Sequence, residues 1–142
     1  MDTPFGNEAA LAQTTVTVSD DGSEFEFRIP SILDEVKIGA RMRRLRLAAD
    51  PMDDPGSPID LDTMAYLKSM AYFEVLLEKA SNASWAWVMG PQGKMVVDST
   101  KFPPNKVNQV IRVASEAIGQ VNRFRAGTTA NRGTPGNEAV AG

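Results

Sequence analysis

Asp50, Asp53, Asp54, Asp60 and Asp62 crowd around Pro51, Pro55, Gly56 and Pro58. Clustered carboxylates can hold a divalent cation or share acid–base work. The D-x-D-x-D-G run with a Glu at its twelfth position, which wraps Ca²⁺, is absent, and Asp, Pro and Gly together are what turns select. The cluster therefore reads as a solvated loop. Ser31 stands at a strand-to-helix corner, where hydrolase nucleophiles stand, but the chain contains no His to activate it. With Asp34 three residues on, Ser31 reads instead as a helix N-cap with an acid at N3.

The chain also has no Cys, so the commonest general base, thiolate chemistry and nearly every zinc or iron site are unavailable. No G-x-x-x-x-G-K-[ST], G-x-G-x-x-G or G-x-S-x-G run occurs. The expectation is a protein that is not an enzyme and holds neither cofactor nor metal. What remains is charge: Lys37, Arg41 and Arg44 recur at i, i+4 and i+7, and suit contact with an acidic surface.

The elements that place these residues follow from periodicity. Thr14–Val18 and Glu24–Ile29 alternate around the turn residues Ser19–Ser23, which predicts a β-hairpin with Phe25, Phe27 and Ile29 on its buried face. Pro30 ends the second strand. A helix then runs from about Ile32 to Ala49, with Asp34 and Glu35 at the positive end of its dipole and Asp50-Pro51 as its stop. Its wheel has two apolar stripes, one of Ile32, Leu33, Val36, Ala40 and Leu47, the other of Ile38, Met42 and Leu45, with the basic ridge between them. Either both stripes pack inside the domain, or the second stripe and the ridge meet another protein.

A second helix starts near Asp60 or Asp62 and is expected to reach about Ala80. It is apolar on most sides, with Tyr66, Met70, Phe73 and Leu77 outside its main face, so it is either the central helix or is covered by a partner or another copy. Trp85–Met89 and Met95–Val97 flank Gly90-Pro91-Gln92-Gly93-Lys94, a short hairpin or an ordered aromatic loop. Trp85 and Trp87 share a side if this segment is extended; core packing is the favoured role and a ligand platform the other. After Pro103-Pro104, Val107, Val110, Ala114, Ala117, Val121 and Phe124 form the stripe of a clearly amphipathic third helix. The fold expected is α+β: an N-terminal β-hairpin, about three helices, and the Trp segment between the second and third. Residues 1–13 read as a flexible arm, 14–126 as a single domain and 127–142 as a disordered tail.

Composition narrows the function. Hydrophobic residues make up 42% of the 142 and charged residues 23%, as in an ordinary globular domain. No apolar run is long enough to span a membrane and residues 1–8 lack the pattern of a secretion signal, so a cytoplasmic location is expected. The net charge of −3 argues against general nucleic-acid binding.

Phe27-Arg28-Ile29-Pro30-Ser31 leading into an Arg-rich helix, Leu61 to Leu77, the Trp85 to Val97 segment with its Pro-x-Gly-Lys, and Val107 to Phe124 together resemble the tail assembly chaperones of long-tailed bacteriophages. The resemblance covers roughly residues 14 to 126 and contains no catalytic motif. It implies a nonstructural protein of the host cytoplasm that coats the tape measure protein and recruits tail tube subunits. Met42, Met64 and Met70 would supply adaptable side chains for such clients. Competing readings are a structural virion component of the head–tail connector or tail terminator type, and a small inhibitor or adaptor acting through the Arg ridge. The residues expected to meet a partner are Ile38, Arg41, Met42, Arg44, Leu45, Tyr66, Met70 and Phe73, and a homo-oligomer is possible if copies cover the second helix.

Overall fold

A computed structural model describes the backbone of residues 13–49, 52 and 59–141, and side chains as far as Gly127. The expected arm at 1–13 lies almost wholly outside the described residues. Strands β1 (Thr15–Asp20) and β2 (Ser23–Arg28) pair in antiparallel register, Asp20 opposite Ser23. The two-residue loop between them has φ of 52° at Asp21 and 79° at Gly22, as a type I′ turn requires, and Asp-Gly tolerates it. Val16, Val18, Phe25 and Phe27 are buried on one face, while Thr17 and Glu24 on the other are exposed.

The Ile29 N–H donates to the Thr14 carbonyl at 2.7 Å, the last bond before Pro30 turns the chain. Helix α1 (Ile32–Ala49) then opens on a reciprocal box: the Ser31 N–H donates to Asp34 Oδ2 at 3.0 Å, and the Asp34 N–H donates to Ser31 Oγ at 3.1 Å.

Helix α2 (Leu61–Leu76) is capped by Asp60, whose Oδ1 accepts the Thr63 N–H at 2.7 Å. Its end corrects the expectation from sequence. The helix stops at Leu76, and Leu77–Ser81 forms β3, antiparallel to β2 and completing a sheet in the order β1-β2-β3. Glu78, Lys79 and Ala80 are good helix formers, but pairing overrides that preference by placing Leu77 and Ala80 beside Phe27 and Phe25, which widens the apolar face. A bulge between Glu26 and Phe27 shifts the register there, and Glu78 and Lys79 are both exposed.

The two sheet edges are closed differently. On β1, Gln120 Nε2 donates to the Thr17 carbonyl at 3.0 Å and Gln109 Nε2 to the Asp20 carbonyl at 3.1 Å, both from helix α3 (Val107–Ala141). On β3, shortness, the bulge and Lys79 discourage further pairing.

The Trp segment adopts the hairpin alternative. Strands β4 (Val88–Met89) and β5 (Met95–Val96) pair around Gly90, where a Cβ would lie 2.9 Å from the Lys94 carbonyl oxygen. The tryptophans do not share one extended strand: Trp85 sits in a 3₁₀ turn, Ser84–Ala86, and packs at a tilt on Phe25 and edge-to-face on Phe102, with centroids 6.2 and 5.4 Å away. Trp87 is half-buried against the core and also lines a groove with Glu24, Glu26 and Lys79.

Phe73 of α2 is the centre of the core, with ring centroids 5.7 Å from Phe25, 5.2 Å from Phe27 and 5.7 Å from Phe102. Helix α2 packs against α1, α3 and the sheet, so its apolar breadth is used inside the chain. Along α3 the buried stripe is Val110, Val113, Ala114, Ala117 and Val121, and Val113 joins the expected set. The helical backbone continues to Ala141, beyond the end expected near Arg125; the side chains of the expected tail at 127–142 lie outside the described residues.

Because Phe73 is fully buried among three other rings, Phe73→Ala is expected to cost about 3–5 kcal/mol of unfolding free energy in urea titrations. A loss under about 1 kcal/mol would contradict this account of the core.

Candidate protein interface on the first helix

Helix α1 could be buried by either stripe, and two ion pairs decide which. At about 100° per residue, Asp34, Ile38, Arg41 and Leu45 fall on one face of the helix. Asp34 is held by Arg28 of β2, whose Nη2 and Nε donate to its two carboxylate oxygens at 2.8 and 3.2 Å. Arg41 is bound in a fork by Glu74 of α2, with Arg41 Nη2 donating to Oε2 at 3.2 Å and Nε donating to Oε1. Glu74 also accepts the Ser99 N–H at 2.7 Å and the Ser99 hydroxyl, so it ties the 3₁₀ turn Ser99–Lys101 to the two helices. The side chains of Asp34 and Glu74 are only 9% and 11% exposed, and removing either partner would leave a charge poorly solvated.

The inward face is therefore the stripe expected to meet a partner, which is a correction. Ile38 and Leu45 are buried, and Met42 is half-buried. Met70 and Phe73 are buried as well, Tyr66 is half-buried against Leu45, Leu67 and Met70, and Arg41 is engaged by Glu74. Of the expected contact residues only Arg44 stands exposed on the surface. The wheel shows two stripes of similar size and carries no sign that says which faces in. That sign comes from Arg28 and Glu74, which are distant in sequence.

The outward stripe is what the domain leaves uncovered. Ile32 is 86% exposed, Leu33 62%, Val36 59% and Leu47 39%. Lys37, Arg43 and Arg44 are exposed beside them on the same helix. A groove of about 250 Å³ lined by Gly39, Met42, Arg43, Arg46, Ile59 and Leu67 borders this face. Both stripes are legible in the sequence; the signal that chooses between them is that Asp34 and Arg41, the two charges on the Ile38–Leu45 side, need partners if that side packs.

Among the described residues no group of three metal-ligating acids occurs. Asp60 is spent on capping, and Asp50, Asp53 and Asp54 lie outside the described residues. No helix among the described residues is long and apolar enough to cross a membrane. Compared with family models, curated proteins and solved structures, the chain matches none.

Two predictions test the two faces. Leu33→Asp or Val36→Asp is expected to leave the thermal midpoint nearly unchanged, since exposed substitutions usually stay within about 0.5 kcal/mol. Ile38→Asp, which buries an unpaired carboxylate, is expected to unfold the domain; circular dichroism melts compare them directly.

Hydrogen bonding from Arg28 holds the Asp34 carboxyl down to about 2, against an ordinary value of 3.8. A depressed native value stabilises the fold above the unfolded value, and that contribution is lost as pH falls from about 4 through 2. Asp34→Asn should therefore be less stable than the parent at pH 7, by about 1–3 kcal/mol, with the gap closing in that acid window. A gap of the same size at pH 2 would contradict the assignment.

Proposed function

We propose that this protein works by protein contact through the outward face of α1, and that it is a tail assembly chaperone of a long-tailed bacteriophage. In that role it holds the tape measure protein in the host cytoplasm and recruits tail tube subunits. The observation that carries the contact reading is the row Ile32, Leu33 and Val36, exposed on a helix whose opposite face is already packed and ion-paired.

An apolar row at helical spacing fits the side of an amphipathic helix, which is recognised through anchors at i, i+3 and i+4. Lys37, Arg43 and Arg44 around it favour a client helix with acidic flanks, and would raise its association rate. The domain core is complete without the client, as a protein that must exist before and after its client binds requires. The resemblance of Phe27–Ser31, Leu61–Leu77, Trp85–Val97 and Val107–Phe124 to tail assembly chaperones supplies the identity of that client.

Co-expression with the tape measure protein tests this. The parent chain is expected to increase the soluble fraction of the client several-fold, and the Leu33→Asp/Val36→Asp double variant is expected to lose the effect while remaining folded. A client equally soluble without the chain would overturn the chaperone role, and undiminished protection by the double variant would overturn the assignment to α1.

A further inference from the structure

Helix α1 carries a glycine in its interior that the fold does not require. Gly39 lies within the helix and lacks the positive φ that Gly22 and Gly93 show. Apart from its chain neighbours and its own helix backbone, a Cβ built on Gly39 would have one atom within 4 Å, Arg43 Nη1 at 3.8 Å. Neither backbone geometry nor crowding therefore demands it. Glycine is the least favourable helix-interior residue after proline, so keeping it here works against the helix. What the missing side chain leaves is space: Gly39 lines the groove of about 250 Å³ together with Met42, Ile59 and Leu67.

The groove is continuous with the exposed row. Ile32, Val36, Gly39 and Arg43 recur at i, i+4, i+7 and i+11, one line along the outward face of α1. Gly39 is thus a notch in that row, and the notch has a charge beside it. The Arg43 guanidinium stands 3.8 Å from the missing Cβ, and the Arg43 side chain makes no ion pair among the described residues. The acids in the first turn of α1 are engaged elsewhere, Asp34 by Arg28 and Glu35 by Arg125. A guanidinium without an acid of its own, next to apolar walls, suits a ligand that is apolar at one end and a carboxylate at the other.

We propose that the Gly39 notch is the anchor pocket of the contact face: it takes one large apolar side chain of an acidic partner helix, and Arg43 pairs with a carboxylate of that helix one turn away. The inference rests on the contact reading of the outward face of α1 and states what that face selects. A cavity of about 150 Å³ holds benzene, so this groove has room for a leucine or phenylalanine side chain. Met42, Ile59 and Leu67 supply the apolar contacts, and a helix without an apolar residue at that point would leave them unfilled. A helix without the acid would leave the Arg43 guanidinium unpaired, so the notch discriminates by charge as well as by size.

The test uses the full chain, ¹⁵N-labelled, titrated at constant ionic strength with 3-phenylpropionate, with its uncharged analogue 3-phenylpropanamide and with acetate. The Gly39 backbone amide resonance is expected to shift saturably with 3-phenylpropionate. Half-saturation by 3-phenylpropanamide should need about tenfold more, the loss of one hydrogen bond between charged groups. Arg43→Gln should bring 3-phenylpropionate to the level of the uncharged analogue and leave the analogue itself unchanged. Gly39→Leu fills the notch and should abolish the response to both, read at the Val36 and Met42 backbone amides. Without ligand, Gly39→Ala should melt about 3–5 °C above the parent, because it removes a poor helix residue.

Co-expression with the tape measure protein separates the notch from the contact reading. Loss of client protection in Gly39→Leu, with its helical circular dichroism intact, supports the notch. Protection equal to the parent's overturns the notch and leaves the contact reading standing. If the parent itself gives no protection, the chaperone reading fails and the titration alone decides the notch. The proposal is overturned if the 3-phenylpropionate response does not saturate, if acetate saturates it equally well, or if Gly39→Leu binds the probe as the parent does. A Gly39→Ala variant that melts below the parent would also overturn it, by showing that the fold needs the glycine.

Discussion

The guanidinium of Arg28 is where the parts of this fold are joined. From the last residue of β2 it donates to Asp34 in the first turn of α1 at 2.8 Å, to the Val75 carbonyl near the end of α2 at 3.1 Å and to Glu78 of β3 at 3.2 Å. Its rigid fork serves acceptors from three elements at once, which the single ammonium of a lysine could not match in geometry. The bond to Glu78 is exposed and contributes little. The bonds to Asp34 and Val75 are the ones that position α1 and terminate α2.

A helix anchored at one end can still roll, and Arg41 with Glu74 removes that freedom two turns further on. Asp34 and Arg41 share a face with Ile38 and Leu45, so satisfying the two charges drives the apolar pair into the core in the same movement. The consequence on the far side is unavoidable. Ile32, Leu33 and Val36 are turned to solvent, where burying each would contribute roughly 1.5–3 kcal/mol if a surface were provided. The candidate interface and the core are two results of one orientation.

What could be read from sequence was what is encoded locally. The Asp21-Gly22 turn, the alternation of Phe25 and Phe27, the Pro30 stop and the Ser31–Asp34 box all depend on neighbours a few residues apart, and each is present in the structure. Leu77–Ser81 could not be read this way, because its strand conformation is imposed by β2, some fifty residues earlier, against a mild helical preference. The same is true of the roll of α1. Its two stripes are equivalent on a wheel, and the Arg41 that looked like part of a surface ridge with Lys37 and Arg44 is bound to an acid on another helix.

The most direct test of the central claim, that the orientation of α1 commits one stripe to the core and presents the other to a partner, uses the absence of cysteine from the chain. Single substitutions Leu33→Cys, Val36→Cys and Ile38→Cys give one thiol each, and their rates of alkylation can be measured with and without the co-expressed tape measure protein. The account predicts fast labelling of the first two in the free protein, strong slowing of both in the complex, and slow labelling of the third in either state. Fast labelling at position 38 in the folded protein, or labelling at 33 and 36 that the bound client leaves unchanged, would contradict it.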